Sequence, residues 1–237
     1  WIQLGGLRLG ADDSLFDSLS GYAGNVIQDT LVPYGGFETN LISYTFDAGN
    51  GFSAAIALEQ GNNGDTSWTD PFGVSVGTTD VIDSYVPHVV GGVKYTAGWG
   101  GISGVAAYNS NYEEWSGKVR LDVNATEQLS LFIMGGYGTD DNGSSNNYKP
   151  WNGNWAVWAG GAFKFSEKAT FNLAASWAEG YDELDQDNDW GVAANVDYEI
   201  VKGFHIIPEV TYTNYGMVED NDAAEGVGGS LRFQRNF

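Results

Sequence analysis

The sequence predicts an all-β chain, a transmembrane antiparallel β-barrel contributing about twelve strands, and three observations carry that prediction. Segments of roughly ten residues alternate apolar and polar side chains, a period of two that belongs to strands and a length that takes a tilted strand across a bilayer. Short links alternate with long polar ones along the chain. Aromatic residues gather near the ends of the apolar faces, where a membrane barrel places its interfacial girdles.

The segments fall near 1–10, 36–47, 51–60, 85–98, 100–110, 114–124, 128–138, 154–165, 168–178, 189–201, 203–214 and 226–237. The third shows the alternation most cleanly, with Phe52, Ala54, Ile56 and Leu58 on one face and Ser53, Ala55, Ala57 and Glu59 on the other. In the sixth, Trp115, Val119, Leu121 and Val123 oppose Ser116, Lys118, Arg120 and Asp122, so the polar face is charged. In the tenth, Trp190, Val192, Ala194, Val196, Tyr198 and Ile200 oppose Gly191, Asn195, Asp197 and Glu199. Short links at 47–51, 97–101, 124–128, 165–169 and 200–203 alternate with long ones at 11–35, 60–84, 139–153, 179–188 and 215–225. Only the link near Asn111 breaks the rule, and the alternation assigns each strand a direction through the membrane. A soluble β-sandwich is the competing architecture, but its strands usually run nearer five or six residues than ten.

Composition removes other classes. With 10 basic and 31 acidic residues the formal charge is −21, the wrong sign for a nucleic-acid partner. Cysteine is absent, which excludes disulfides, thiolate metal sites and a Cys nucleophile. No run of about 18 apolar residues offers a membrane-spanning helix. Trp1 opens directly in a strand pattern without the marks of a signal peptide, so a segment upstream is expected.

Val86-Pro-His-Val-Val-Gly-Gly92, the stretch from Glu113 to Asn124, Asn154-Trp-Ala-Val-Trp-Ala-Gly160, Glu167-Lys-Ala-Thr-Phe-Asn-Leu173, the stretch from Gly203 to Thr213, and the final Gly228 to Phe237 closely resemble the general-diffusion porins of alphaproteobacteria such as brucellae and rhizobia. The resemblance covers essentially the whole chain. It implies a 16-stranded outer-membrane barrel, usually a homotrimer, with a water-filled lumen for passive diffusion of small hydrophilic solutes and ions, and with a third external loop folded inward as a constriction. Residues 1–10 resemble the fifth strand of such a barrel and 11–35 its constriction loop, so 1–237 would be one barrel domain supplying strands five to sixteen. The expected partners are outer-membrane lipids, lipopolysaccharide and further copies of the chain; no cofactor is expected. Phe237 would serve as the terminal aromatic by which outer-membrane proteins are recognised for assembly, with Phe233 and Leu231 in step before it.

The stretch 11–35 carries Asp12, Asp13, Asp17 and Asp29 beside Leu15, Phe16, Leu19, Val26 and Ile27. Apolar residues of that size have little reason to stand on an exposed loop, so the segment is expected to fold into the lumen. Parity points Arg8, Lys94, Lys118, Arg120, Lys164 and Arg232 inward, together with Glu59, Asp122, Asp197, Glu199 and Glu209. The expected constriction sets Asp12, Asp13 and Asp17 against Arg8, Lys118 and Arg120, while Lys94, Lys164, Glu209 and Arg232 line the lumen elsewhere. Wall charges nearly balance, so the loop acids, with Asp65, Asp70, Asp80, Asp140, Asp141, Asp182, Glu183, Glu219 and Asp220 at the mouth, tip the pore weakly towards cations.

Two other chemistries fail on residues. Asp185, Asp187 and Asp189 alternate as calcium-loop ligands do, yet Trp190 and Val196 stand where the Gly and the bidentate Glu belong, leaving a solvated acidic loop. A membrane phospholipase would need a Ser–His pair facing lipid, and both His88 and His205 have inward parity, so no enzyme activity is expected.

Overall fold

Through the middle of the sheet the strands bury one face and leave the other bare, as the sequence pattern requires. On the strand Phe52–Glu59, Ile56 is 55% exposed and Ala57 1%; on Leu129–Gly138, Ile133 is 51% exposed and Met134 0%. The computed structural model describes residues 1–36, 38–61, 68–69, 75–76, 81–139, 146–180, 187–215 and 225–236. Its strands are β1 (Ile2–Leu4), β2 (Leu7–Asp13), β3 (Glu38–Asp47), β4 (Phe52–Glu59), β5 (Trp68–Thr69), β6 (Ser75–Val76), β7 (His88–Ala97), β8 (Gly100–Asn109), β9 (Glu114–Asn124), β10 (Leu129–Gly138), β11 (Trp155–Ser166), β12 (Ala169–Ala178), β13 (Asp189–Val201), β14 (Phe204–Asn214) and β15 (Glu225–Arg235). Strands β5 and β6 pair with each other; the remaining 13 form one sheet, each strand hydrogen-bonded to its neighbours in chain order. All its ladders are antiparallel, with registers such as Arg120 opposite Met134 and Met134 opposite Trp158. Among the described residues no ladder joins β1 to β15.

Two expectations need correction. The segment 1–10 is a hairpin rather than one strand, because Gly5 takes a left-handed turn (φ 59°) and brings Ile2 opposite Leu9. The sheet therefore holds 13 strands where about twelve were expected, and β2 runs on to Asp13, so Asp12 and Asp13 close a strand instead of opening the loop. The long polar pattern of the link 139–153 predicts an external loop, yet its described part turns inward: Tyr148, Lys149 and Trp151 are each 1% exposed.

Residues 14–36, between β2 and β3, also enter the interior. Ser14 caps a single helical turn, α1 (Leu15–Ser18), by accepting from the Phe16 N–H. Leu15, Phe16 and Leu19 pack with Val32, Tyr34, Tyr148, Trp151 and Trp158, and with the inward Ala57, Val90, Val105, Ala107 and Met134 of the wall. The main hydrophobic core thus lies inside the curve of the sheet, on the β4 to β12 side. Most of the outward aromatics stand as parity expected, among them Trp115, Trp155 and Phe165. Phe237, the mouth acids Asp65 to Asp80, Asp140, Asp141, Asp182, Glu183, Glu219 and Asp220, and Asp185 of the acidic loop lie outside the described residues.

A charge on the bare face should therefore cost far more than one on the inner face. Ile133→Arg, at the middle of β10, is expected to lower folding stability in bilayers by about 2–4 kcal/mol. Thr45→Arg, on the inner face opposite Ala55, should change it by well under 1 kcal/mol because water solvates the charge. Urea titration of both variants in lipid vesicles checks the ranking, and equal penalties would contradict the assignment of faces.

Candidate functional site

A chain segment inside a barrel has no strand partners, so the backbone groups that its own turns leave unbonded need partners from outside it. Wall side chains supply them at successive points. On β4 the buried Glu59 accepts from the Ser14 hydroxyl (2.7 Å), the Leu15 N–H (2.8 Å) and the Tyr148 hydroxyl (3.0 Å). On β14 the buried Glu209 accepts from the N–H groups of Ile27 and Gln28 (2.8 Å to Gln28) and from Asn195 Nδ2 (2.9 Å). Two carboxylates eight strands apart in the sheet order therefore hold the beginning and the middle of one segment.

Between them the wall continues to grip. Lys118 Nζ on β9 reaches Asp17 Oδ1 (2.9 Å) and the Tyr34 carbonyl (2.7 Å), and sits 4.1 Å from the centre of the Phe16 ring. Its neighbour Arg120 donates to the Tyr22 carbonyl (2.6 Å) and lies 4.3 Å from the Phe132 ring centre, while chelating Asp122 on its own strand. Trp158 Nε1 on β11 donates to the Val32 carbonyl (2.8 Å), and Asn195 on β13 donates to that of Asn25 (3.1 Å). Close approach matters at Gly35, where a Cβ would fall 1.6 Å from Asp17 Oδ1, so only glycine leaves room for the Lys118–Asp17 pair.

These contacts redistribute the residues singled out in the sequence. Asp17 and Lys118 meet, but their side chains are 1% and 0% exposed, so they brace the segment and present no open charge. Arg8 pairs with Asp12 at the end of β2, and Asp13 accepts from the Tyr22 hydroxyl. Glu209 is an anchor, not a free lumen carboxylate. Lys94, Lys164 and Arg232 lie on the inner face with less cover: Lys94 is half-buried, Lys164 and Arg232 exposed. His88 is buried against Tyr148 and Ser110, and His205 contacts Asp197; neither faces lipid.

Charge on the segment itself is tuned by its surroundings. The hydrogen bond to Asp13, with burial and nearby carboxylates, pushes the Tyr22 hydroxyl up to about 12. Burial raises the Asp29 carboxyl above its ordinary range, only partly offset by the hydroxyl of Tyr34. Burial and that same bond raise Tyr34.

Residues 1–232 match the family model of the porin subfamily. The chain is 49% identical over 243 residues to the protein named Porin Omp2b of Brucella neotomae, and 48% identical to that of Brucella abortus (strain 2308). These alignments cover 100% of this chain and 62% of each relative, so the chain spans about three fifths of the length of the curated relatives it matches. Among solved structures it superposes on the outer membrane channel DcaP of Acinetobacter baumannii with a TM-score of 0.72 at 18% identity, covering 98% of this chain and 72% of that one. A mutant porin of Rh. blastica gives 0.60 at 12% identity, with 99% and 75% covered. At such identities the likeness bears on the fold, and that fold is an antiparallel membrane barrel.

Breaking the Lys118–Asp17 pair from one side should loosen the segment. Lys118→Met leaves a buried carboxylate without its cation, a change worth about 3–5 kcal/mol, whereas Lys118→Met with Asp17→Leu removes both charges and should recover most of the loss. Hydrogen exchange of the backbone amides of residues 14–36 is the readout. Equal exchange in the wild type and the single variant would show that the pair braces nothing.

Proposed function

The chain belongs to the porin subfamily, and from that premise we propose that it forms, in the bacterial outer membrane, a water-filled channel for passive diffusion of small hydrophilic solutes and ions, narrowed by residues 14–36 and weakly preferring cations. The observation that carries the narrowing is the clasp of that segment between Glu59 on β4 and Glu209 on β14. A segment held at both places by buried carboxylates cannot swing out of the lumen without leaving two charges unpaired in the wall. The whole channel is read as a homotrimer surrounded by phospholipid and lipopolysaccharide; the bare apolar faces of the strands and the resemblance of the sequence support that assembly.

The preference for cations rests on which charges stay open. Lys118 with Asp17, Arg120 with Asp122 and Arg8 with Asp12 cancel pairwise. Of the charges left, Lys94, Lys164 and Arg232 on the wall outnumber Asp13 and Asp29 on the segment side by one, an imbalance that by itself leans towards anions. The acidic excess of the whole chain then favours cations at the mouth, within a screening length of about 8–10 Å at physiological salt.

Full-length protein in planar bilayers should give stepwise ohmic conductance, and folded protein without it would refute the channel. The reversal potential across a salt gradient should show a weak cation preference at low ionic strength that fades at high salt. Because Asp29 binds its proton at higher pH than an ordinary carboxyl, that preference should begin to fall early as pH is lowered, and Asp29→Asn should remove the early part of the fall. Anion selectivity at neutral pH would refute the charge assignment.

A further inference from the structure

Below the inward segment, the inner wall of β9 to β12 is not packed against anything. Two depressions of about 540 and 290 Å³ lie there, sharing Asn124, Ser130 and Ala162 in their linings, so they are two stretches of one groove. The size falls in the range of small-molecule sites, about 300–1,000 Å³. Its floor is low because small side chains stand opposite one another: Asn124 faces Ser130 across β9 and β10, and Ser130 faces Ala162 across β10 and β11. Segment residues Tyr22 and Asn25 roof the upper stretch beside Arg120 and Asp122, and Lys164 and Glu127 stand at the lower one.

The chemistry of that lining is selective. Its charges sum to zero, with Arg120 bound to Asp122 above and Lys164 and Glu127 of opposite sign in the lower lining, so a net charge on a ligand gains little. Polar atoms of both kinds remain. Asp122 keeps a side chain 44% exposed, able to accept hydrogen bonds beyond those of Arg120. Asn124, whose Nδ2 donates to the Gly98 carbonyl, brings an amide oxygen as acceptor to the lining, and Ser130 brings a hydroxyl. The Tyr22 ring, 48% exposed, adds an apolar face at the upper end. Closely spaced donors and acceptors, an aromatic plate and no net charge match a ligand bearing many hydroxyls and C–H faces. We propose that this groove is a weak binding subsite for neutral polyhydroxylated solutes such as sugars, on their path past the segment.

The proposal rests on the channel reading, and one experiment separates the two. Ion current through the full-length protein in planar bilayers is recorded while sucrose is added, with the change in bulk conductivity measured independently. A bound sugar should reduce the current beyond the bulk effect and saturate. Ala162→Leu, which fills the floor, and Asp122→Asn, which removes the acceptor charge, should each raise the half-blocking concentration by about tenfold, the loss expected for one good contact. Thr45→Leu, on the inner face away from the groove, should leave it unchanged, and resistance of the folded variants to detergent denaturation confirms their barrels. A current that only follows bulk conductivity overturns the proposal, as does a saturable block that ignores both groove variants. Tighter block by gluconate, which carries a carboxylate on a similar hydroxylated skeleton, would overturn the neutral class. Absence of any current in folded protein would instead sink the channel reading, and this one with it.

Discussion

Every backbone group placed inside a membrane barrel needs a partner, and a segment that leaves the sheet has only its own turns, water and the inner wall to supply one. The ladders satisfy the strands. Residues 14–36 are satisfied in large part by side chains: two carboxylates take backbone N–H groups, and Lys118, Arg120, Trp158 and Asn195 give to carbonyls. The rest of the interior follows from this clasp. Carboxylates must stand buried on β4 and β14, a lysine must reach inward from β9, and Gly35 must be glycine so that Asp17 can come close.

The clasp also makes the inner face uneven. Apolar packing under α1, and around Tyr148, Trp151 and Trp158, fills the upper interior on the β4 to β12 side, so the polar parity of those strands does not translate into open water there. Lower on β9 to β12 the same wall is bare and grooved. Charges that look alike in sequence therefore divide by height. Lys118 is sealed, Arg120 is mostly covered, and Lys164 on the neighbouring stretch of wall is open.

Much of this was legible in the sequence. Of the twelve segments that the sequence predicts, eleven match strands to within a few residues, because alternation over ten residues reports the face of a strand whatever its neighbours do. The hairpin at Gly5 was not, since Trp1 to Gly10 has too few polar residues to show a change of parity. The inward turn of the segment was legible from Leu15, Phe16 and Leu19. The partners of its charges were not: Glu59 and Glu209 had inward parity, but parity cannot tell a carboxylate facing water from one that receives backbone N–H groups from a segment remote in sequence. Tyr148 and Trp151 carried the same kind of apolar signal as Leu15 within the link 139–153, and it was outweighed there by the polar residues around them.

The clasp is tested most directly by removing both carboxylates and recording the channel current. In full-length protein reconstituted in planar bilayers, Glu59→Leu combined with Glu209→Leu frees the Ser14, Leu15, Ile27 and Gln28 donors at once. A segment held by those carboxylates should then fluctuate, and the single-channel current should become noisy and shift from its wild-type level. A quiet current of unchanged size through a folded double variant would contradict the account.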